Sequence, residues 1–184
     1  MKWILASGSP RRKELFQLLV PKFDVIVPQG VQEKAIKETC PERLVQTLAK
    51  MKCLAVAQHQ KDACVIGCDT IVFHQGTVYG KPENKEHARQ MLTSLSADTH
   101  EVYTGVCIAS KGNMIVSSAC TKVTFAALTA QEIEDYLRTE EPYDKAGAYA
   151  IQGGAAKWVS SIQGCYFNVV GFPVAHVYQM IKKL

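Results

Sequence analysis

The chain has 184 residues, 47% of them hydrophobic and 21% charged, enough for one substantial core or two small lobes sharing one. Its formal charge of +4 comes from 21 Lys and Arg interleaved with 17 Asp and Glu, a dispersed pattern unlike the basic arm of a nucleic-acid binder. No stretch approaches the roughly 18 apolar residues of a membrane span, the opening MKWILASGSP is too short an apolar run for a signal peptide, and seven cysteines without a CxxC pair read as reduced thiols. The expectation is a cytoplasmic globular protein with no membrane and no nucleic-acid partner.

Lys2 to Ala6 reads as a strand. Ser9 is then an N-cap, Pro10 suits the first helical position, and Leu15, Phe16, Leu18 and Leu19 supply a helical stripe. Phe23, Val25 and Val27 alternate as a second strand, and 31–39 reads as a polar loop. A long helix follows from Pro41 to about His59, with Leu44, Leu48, Met51 and Ala55 on one face. Ala63 to Cys68 is a buried strand, Asp69 interrupts the apolar run, and Thr70 to Phe73 resumes it before a turn at Gln75 and Gly76. Asn84 should cap a helix using Ala88, Met91, Leu92 and Leu95. His100 to Ala109 and Met114 to Phe125 should pair as a hairpin, and Thr129 with Glu132 forms a capping box. A strand from Trp158 to Ile162 and a helix after Pro173 close the chain. With no repeat and no independent linker, residues 1–184 read as a single domain. The expected fold is α/β, a mixed twisted sheet with flanking helices in two lobes around a central cleft.

Several polar residues stand where an ordinary core or surface would not ask for them. Arg11 and Arg12 fall in the first turn of a helix, where unpaired N–H groups already favour an anion; with the serines and Gly8 of SGSPRR they make a phosphate cradle, or else two solvated arginines. Asp69 lies between Val65-Ile66 and Ile71-Val72, so it is either a strand-end aspartate bonded to nearby amides or a metal-bound carboxylate or general base. Lys52 shares a helical strip with Val45, Leu48, Ala49 and Val56, a position that suits a snorkelling chain or an anion-binding cation. Lys81 sits between Gly80 and Pro82, and Glu33 in a polar loop; either could be merely solvated. Together these cations and carboxylates describe a site for a phosphate chain bound with a divalent cation.

The blocks LASGSPRR, GCDTIVFHQGTVYGKP, HEVYTGV, EPYDKAGAYAIQG and YFNVVGFP, in this order, resemble the Maf family of nucleoside triphosphate pyrophosphatases over essentially the whole chain. The resemblance implies a fold related to inosine triphosphatase. It also implies hydrolysis of a nucleoside triphosphate to the monophosphate and pyrophosphate with a divalent cation, Mg2+ or Mn2+. It places Ser7, Arg11, Arg12, Lys52, Asp69 and Lys81 at active-site positions, with Asp69 the proton acceptor, and Glu33 at the loop glutamate linked with metal binding. Arg12, Thr70 and Gln152 together are similar to the subgroup acting on dTTP and UTP, modified pyrimidine nucleotides being further candidates. One departure is the loop VPQGVQ, which lacks the acidic residue often found just before that glutamate. On these residues Arg11, Arg12, Lys52 and Lys81 would grip the phosphates, Asp69 would activate water, and Gln152 would pair with the imide edge of uracil or thymine. Asp144 and Lys145 are expected to form a structural ion pair. The resemblance is compatible with a homodimer. The alternative is a nucleotide-binding regulator of cell division without catalysis.

Overall fold

The computed structural model describes residues 1–184, the Lys34 side chain excepted. The elements in chain order are β1 (Lys2–Ala6), α1 (Pro10–Gln17), β2 (Asp24–Val25), α2 (Pro41–Ala57), β3 (Ala63–His74), β4 (Thr77–Tyr79), α3 (Lys85–Leu95), β5 (Thr99–Ser110), β6 (Asn113–Phe125), α4 (Ala130–Tyr136), β7 (Val159–Gln163), α5 (Tyr166–Val170) and α6 (Val174–Ile181). They build a seven-stranded mixed sheet in the order β2-β1-β3-β5-β6-β7, with β4 paired to β3. β1 pairs in parallel with both β2 and β3, whereas β3–β4 and β6–β7 are antiparallel. The mixed α/β class with flanking helices is the expected one. Among the described residues no helix is long and apolar enough to cross a membrane.

Local sequence rules explain most boundaries. Ser9, Asn84 and Thr129 each cap a helix through their side chains, and Thr129 and Glu132 complete the reciprocal capping box. Gln75-Gly76 and Lys111-Gly112 all have positive φ, the geometry of the two-residue turn whose twist matches a hairpin. Two expectations need correction. The second strand is only Asp24–Val25, since Phe23 packs on Phe16 but Val25 and Val27 are exposed, leaving the alternating face uncovered beyond Phe23. β3 runs unbroken through Asp69, because a strand tolerates a polar side chain wherever a partner meets it.

The chain divides into two compact units, one of residues 1–70, 104–119 and 171–184 and the other of 71–103 and 120–170. In the first unit α1 and α2 cover opposite faces of the parallel strands. Phe16 of α1 stacks edge-on against Trp3 at 5.9 Å, while Ala49, Cys53 and Val56 of α2 pack with Ile4, Ala6, Ala63 and Val65. Such a pair of crossovers follows from the order β2-β1-β3, because right-handed connections leading to either side of β1 must use opposite faces. In the second unit an aromatic core joins Phe125, Tyr149, Trp158 and Tyr136.

Candidate active site

Two glycines let α2 rest directly on the sheet. A Cβ on Gly67 would lie 2.6 Å from the Cys53 backbone nitrogen, and one on Gly105 would lie 2.0 Å from the Val45 carbonyl oxygen. Neither position has room for any side chain. Strand residues two apart share a face, so Asp69 points to the same side as Gly67, toward the helix lying against it. There the Lys52 ammonium meets the Asp69 carboxylate, and at 2.8 Å it also meets Glu33, from the short 3-10 turn Glu33–Ala35. Lys52 and Asp69 are largely buried, Glu33 half exposed. The lysine does not snorkel; it bridges two carboxylates.

The neighbouring residue sends its side chain to the other face. The Arg12 guanidinium donates to the Gly171 carbonyl at 2.9 Å, to Thr70 Oγ1 at 3.0 Å and to Ser7 Oγ at 3.5 Å. Ser7 Oγ also accepts the Ser9 N–H. Arginine cannot accept a hydrogen bond, so Thr70 Oγ1 accepts from it, and Thr70 Oγ1 also shares a hydrogen bond with Thr104 Oγ1, 2.9 Å away. These acceptors are neutral oxygens, so the guanidinium is aimed without being neutralised. Gly171, at φ 112°, brings its backbone close enough that a Cβ would stand 3.3 Å from Thr70 Oγ1. Arg11 lies half-buried beside Arg12 in the first turn of α1.

Asp69 is not at a strand tip, since it is the seventh of twelve residues in β3. The last parallel pair with β1, however, is Ala6 with Gly67, so Asp69 and Thr70 project beyond the carboxyl end of the neighbouring strand, as does Ser7. Open parallel sheets present ligand-binding groups beyond those ends, at the strand where the order reverses. Cys68 lies on the same face as Thr70, and burial pushes its thiol up to about 12 despite the nearby charges of Arg12 and Lys52. It is an inert spacer.

The remaining predicted residues belong to the second unit. Lys81 is exposed in a bend after β4, where the Gly80 carbonyl accepts the Gly147 N–H at 3.1 Å. Gln152 is exposed in a turn between Ala150 and Gly154. Asp144 and Lys145 form their ion pair. Sequence reasoning assigned no role to Thr104 or the Gly171 carbonyl, although both lie in the blocks HEVYTGV and YFNVVGFP. It also passed over Gly67 and Gly105, although glycine in a strand signals a close backbone approach.

Carboxylates paired through a lysine, with an arginine aimed from the opposite face beyond the carboxyl ends of parallel strands, define an α/β protein built for an anionic, phosphate-like ligand. A family model described as Maf-like protein matches residues 2–184, and the chain belongs to that family. It is 45% identical over 182 residues to the dTTP/UTP pyrophosphatase of Bacillus cereus strain ATCC 14579, covering 99% of this chain and 95% of that protein. It is 46% identical over 182 residues to the dTTP/UTP pyrophosphatase of Bacillus anthracis, with the same coverage. Among solved structures, the Staphylococcus aureus Ham1 protein superposes with a TM-score of 0.56 at 12% identity, over 100% of this chain and 99% of that one, which shows a shared fold.

Proposed function

We propose that this protein hydrolyses dTTP and UTP to the nucleoside monophosphate and pyrophosphate. The observation that carries the reading is the Lys52 bridge between Asp69 and Glu33, one residue along β3 from the Thr70 that holds Arg12. The names of the Bacillus relatives supply the substrate class.

In this reading Asp69 is the base. Its ion pair with Lys52 engages Oδ1, and we assign Oδ2 to the water that attacks the α-phosphorus. As the new P–O bond forms, the water's proton passes to Asp69, the bond from the α-phosphorus to the bridging oxygen breaks, and pyrophosphate leaves with the electron pair. Arg12, Arg11 and Ser7 stabilise the charge that accumulates on the departing oxygens; a guanidinium held by neutral acceptors retains the full charge this requires. Lys52 keeps Asp69 in place and answers the rising negative charge. Lys81 joins the phosphate-binding cations on the resemblance, and Gln152 the base-reading residues.

Glu33 and Asp69 fit a divalent cation. Among the described residues no group of three or more His, Cys, Asp or Glu gathers, which argues against an all-protein cage. Two carboxylates converging on one point match Mg2+ or Mn2+, which takes one or two protein carboxylates and completes its shell with water and phosphate oxygens. When bound, the ion would neutralise phosphate charge. We treat residues 1–184 as one functional domain because one family model spans residues 2–184, and we place it in a reducing, cytoplasmic setting, in keeping with seven cysteines outside any disulfide. A homodimer is the proposed assembly.

The test is pyrophosphate release with Mg2+ or Mn2+ across dTTP, UTP, CTP, GTP and ATP. dTTP and UTP should be turned over fastest. Binding of a nucleotide with no release from any would overturn the enzymatic reading in favour of a non-catalytic regulator.

A further inference from the structure

Gln152 sits on a turn whose two flanks are tied to one pair of side chains in the second unit. The Gly153 N–H donates to the Ala150 carbonyl at 3.0 Å, closing a turn with Ile151 and Gln152 at its centre. Ile151 is buried and anchors the turn; Gln152 is exposed at its tip. On the near flank the Ala150 N–H donates to the Tyr136 hydroxyl at 3.2 Å, and that hydroxyl donates its proton to Glu141 Oε1 at 2.6 Å. On the far flank the Gly154 N–H donates to the same carboxylate, at 3.0 and 3.2 Å. The relay is thus closed around the turn, and none of its hydrogen bonds uses the Gln152 amide.

The fit is tight. A Cβ on Gly153 would lie 2.1 Å from Glu141 Oε2, so the carboxylate occupies the volume a side chain would need there. Tyr136 is itself fixed by the edge-on Trp158 ring, 4.9 Å between centroids. A surface turn needs no such support for solubility or folding. A buried tyrosine and a carboxylate that spend three hydrogen bonds on a short turn, and one on each other, hold the residue at its tip in one place.

We propose that Tyr136 and Glu141 are positioning residues that set the selectivity of nucleotide hydrolysis by fixing the Gln152 amide against the base. The inference rests on the reading that Gln152 recognises the imide edge of uracil and thymine. An amide discriminates between bases only while its donor and acceptor are held in register. A loose turn lets it meet cytosine and uracil alike.

The experiment is the ratio of kcat/KM for UTP to that for CTP in the full-length enzyme. Tyr136→Phe keeps the ring against Trp158 and removes only the hydroxyl; it should lower the ratio by about tenfold through loss of UTP activity. Glu141→Gln, which keeps the shape and one acceptor oxygen, should lower it less. Gln152→Ala should lower the ratio at least as far, and adding Tyr136→Phe to it should change the ratio no further. A merely structural tyrosine would lower both activities together and leave the ratio where it was, which would overturn the proposal. If Gln152→Ala lowers the ratio and neither Tyr136→Phe nor Glu141→Gln does, base reading stands and the positioning role falls. If Gln152→Ala itself leaves the ratio unchanged, both fall.

Discussion

The Lys52 cluster of the first unit and the His100–Tyr149 pair of the second handle buried polarity in opposite ways. In the first, formal charges meet where Lys52 joins Asp69 and Glu33, and the charged Arg12 spans the nearby Ser7 and the distant Thr70 and Gly171. In the second, both partners are kept neutral by burial. His100 Nε2 lies 2.7 Å from the Tyr149 hydroxyl, with Phe125 edge-on at 5.0 Å. Burial, reinforced by repulsion from His74 and opposed by Asp98, lowers His100 to about 4, and burial raises the Tyr149 hydroxyl. Charged pairs can exchange partners with an incoming cation or phosphate, whereas a neutral buried pair gains nothing by opening. The first arrangement suits chemistry and the second suits a rigid scaffold.

The charged cluster of the first unit fails most completely at Asp69. Asp69→Asn keeps the shape and a contact for Lys52 but removes the base, and should lower kcat by about 10³-fold in a pyrophosphate-release assay while nucleotide still binds. Near-normal turnover would take Asp69 out of the mechanism. Next is the placement of Lys52: Gly105→Ala sets a Cβ 2.0 Å from a backbone carbonyl of α2, so the helix must lift. We expect a loss of about 3 kcal/mol in urea unfolding, with activity lost even where the variant remains folded. An unchanged midpoint would mean that the contact relaxes freely.

The pH dependence of stability sharpens the contrast in the second unit. His100 is shifted down from 6.5 to about 4, so between those values the unfolded chain binds the proton and the folded one does not. The stability from keeping it neutral is present above about 6.5 and is lost as pH falls toward 4, a difference of about 2 kcal/mol between pH 7 and pH 5. His100→Gln should flatten that part of the profile in urea titrations; an identical slope would assign it elsewhere. Asp98, bonded to His74 at 2.9 Å and lowered from 3.8 to about 2, acts in a more acidic window, its contribution lost as pH falls through about 2.

The smallest effect concerns the neutral part of the charged unit. Thr104→Val removes the hydroxyl that hydrogen-bonds Thr70 and loosens the aim of Arg12. It should raise KM for UTP by about fivefold, the worth of one ordinary hydrogen bond, with Thr104→Ser restoring it. An equal defect in the serine variant would point to packing instead.

Much of the fold was legible because its signals are local. The three caps and the turn at Gln75 and Gly76 read directly from residue type, and the alternation of α and β segments indicated a mixed sheet. The second strand is shorter than its alternation predicts, since alternation alone says nothing about whether a face finds cover. The 3-10 turns between Glu141 and Trp158 were not legible, because their geometry is imposed by Tyr136, Glu141 and the packing of Trp158 rather than by propensity. Candidate site residues showed themselves as polar side chains in apolar surroundings. Their partners did not.

The chain's own order of residues determined where helices begin, where hairpins turn and which ionisable groups stand out of place, since each depends on neighbours within a few positions. Only the tertiary structure decided that Lys52 would meet Asp69 and Glu33, and that Arg12 would lean on a carbonyl 159 positions away. Those meetings depend on the order β2-β1-β3 and on two glycines thin enough to seat a helix on the sheet. Strand order and close approach belong to the packed whole, because the energy that selects them comes from surfaces buried between segments far apart in sequence.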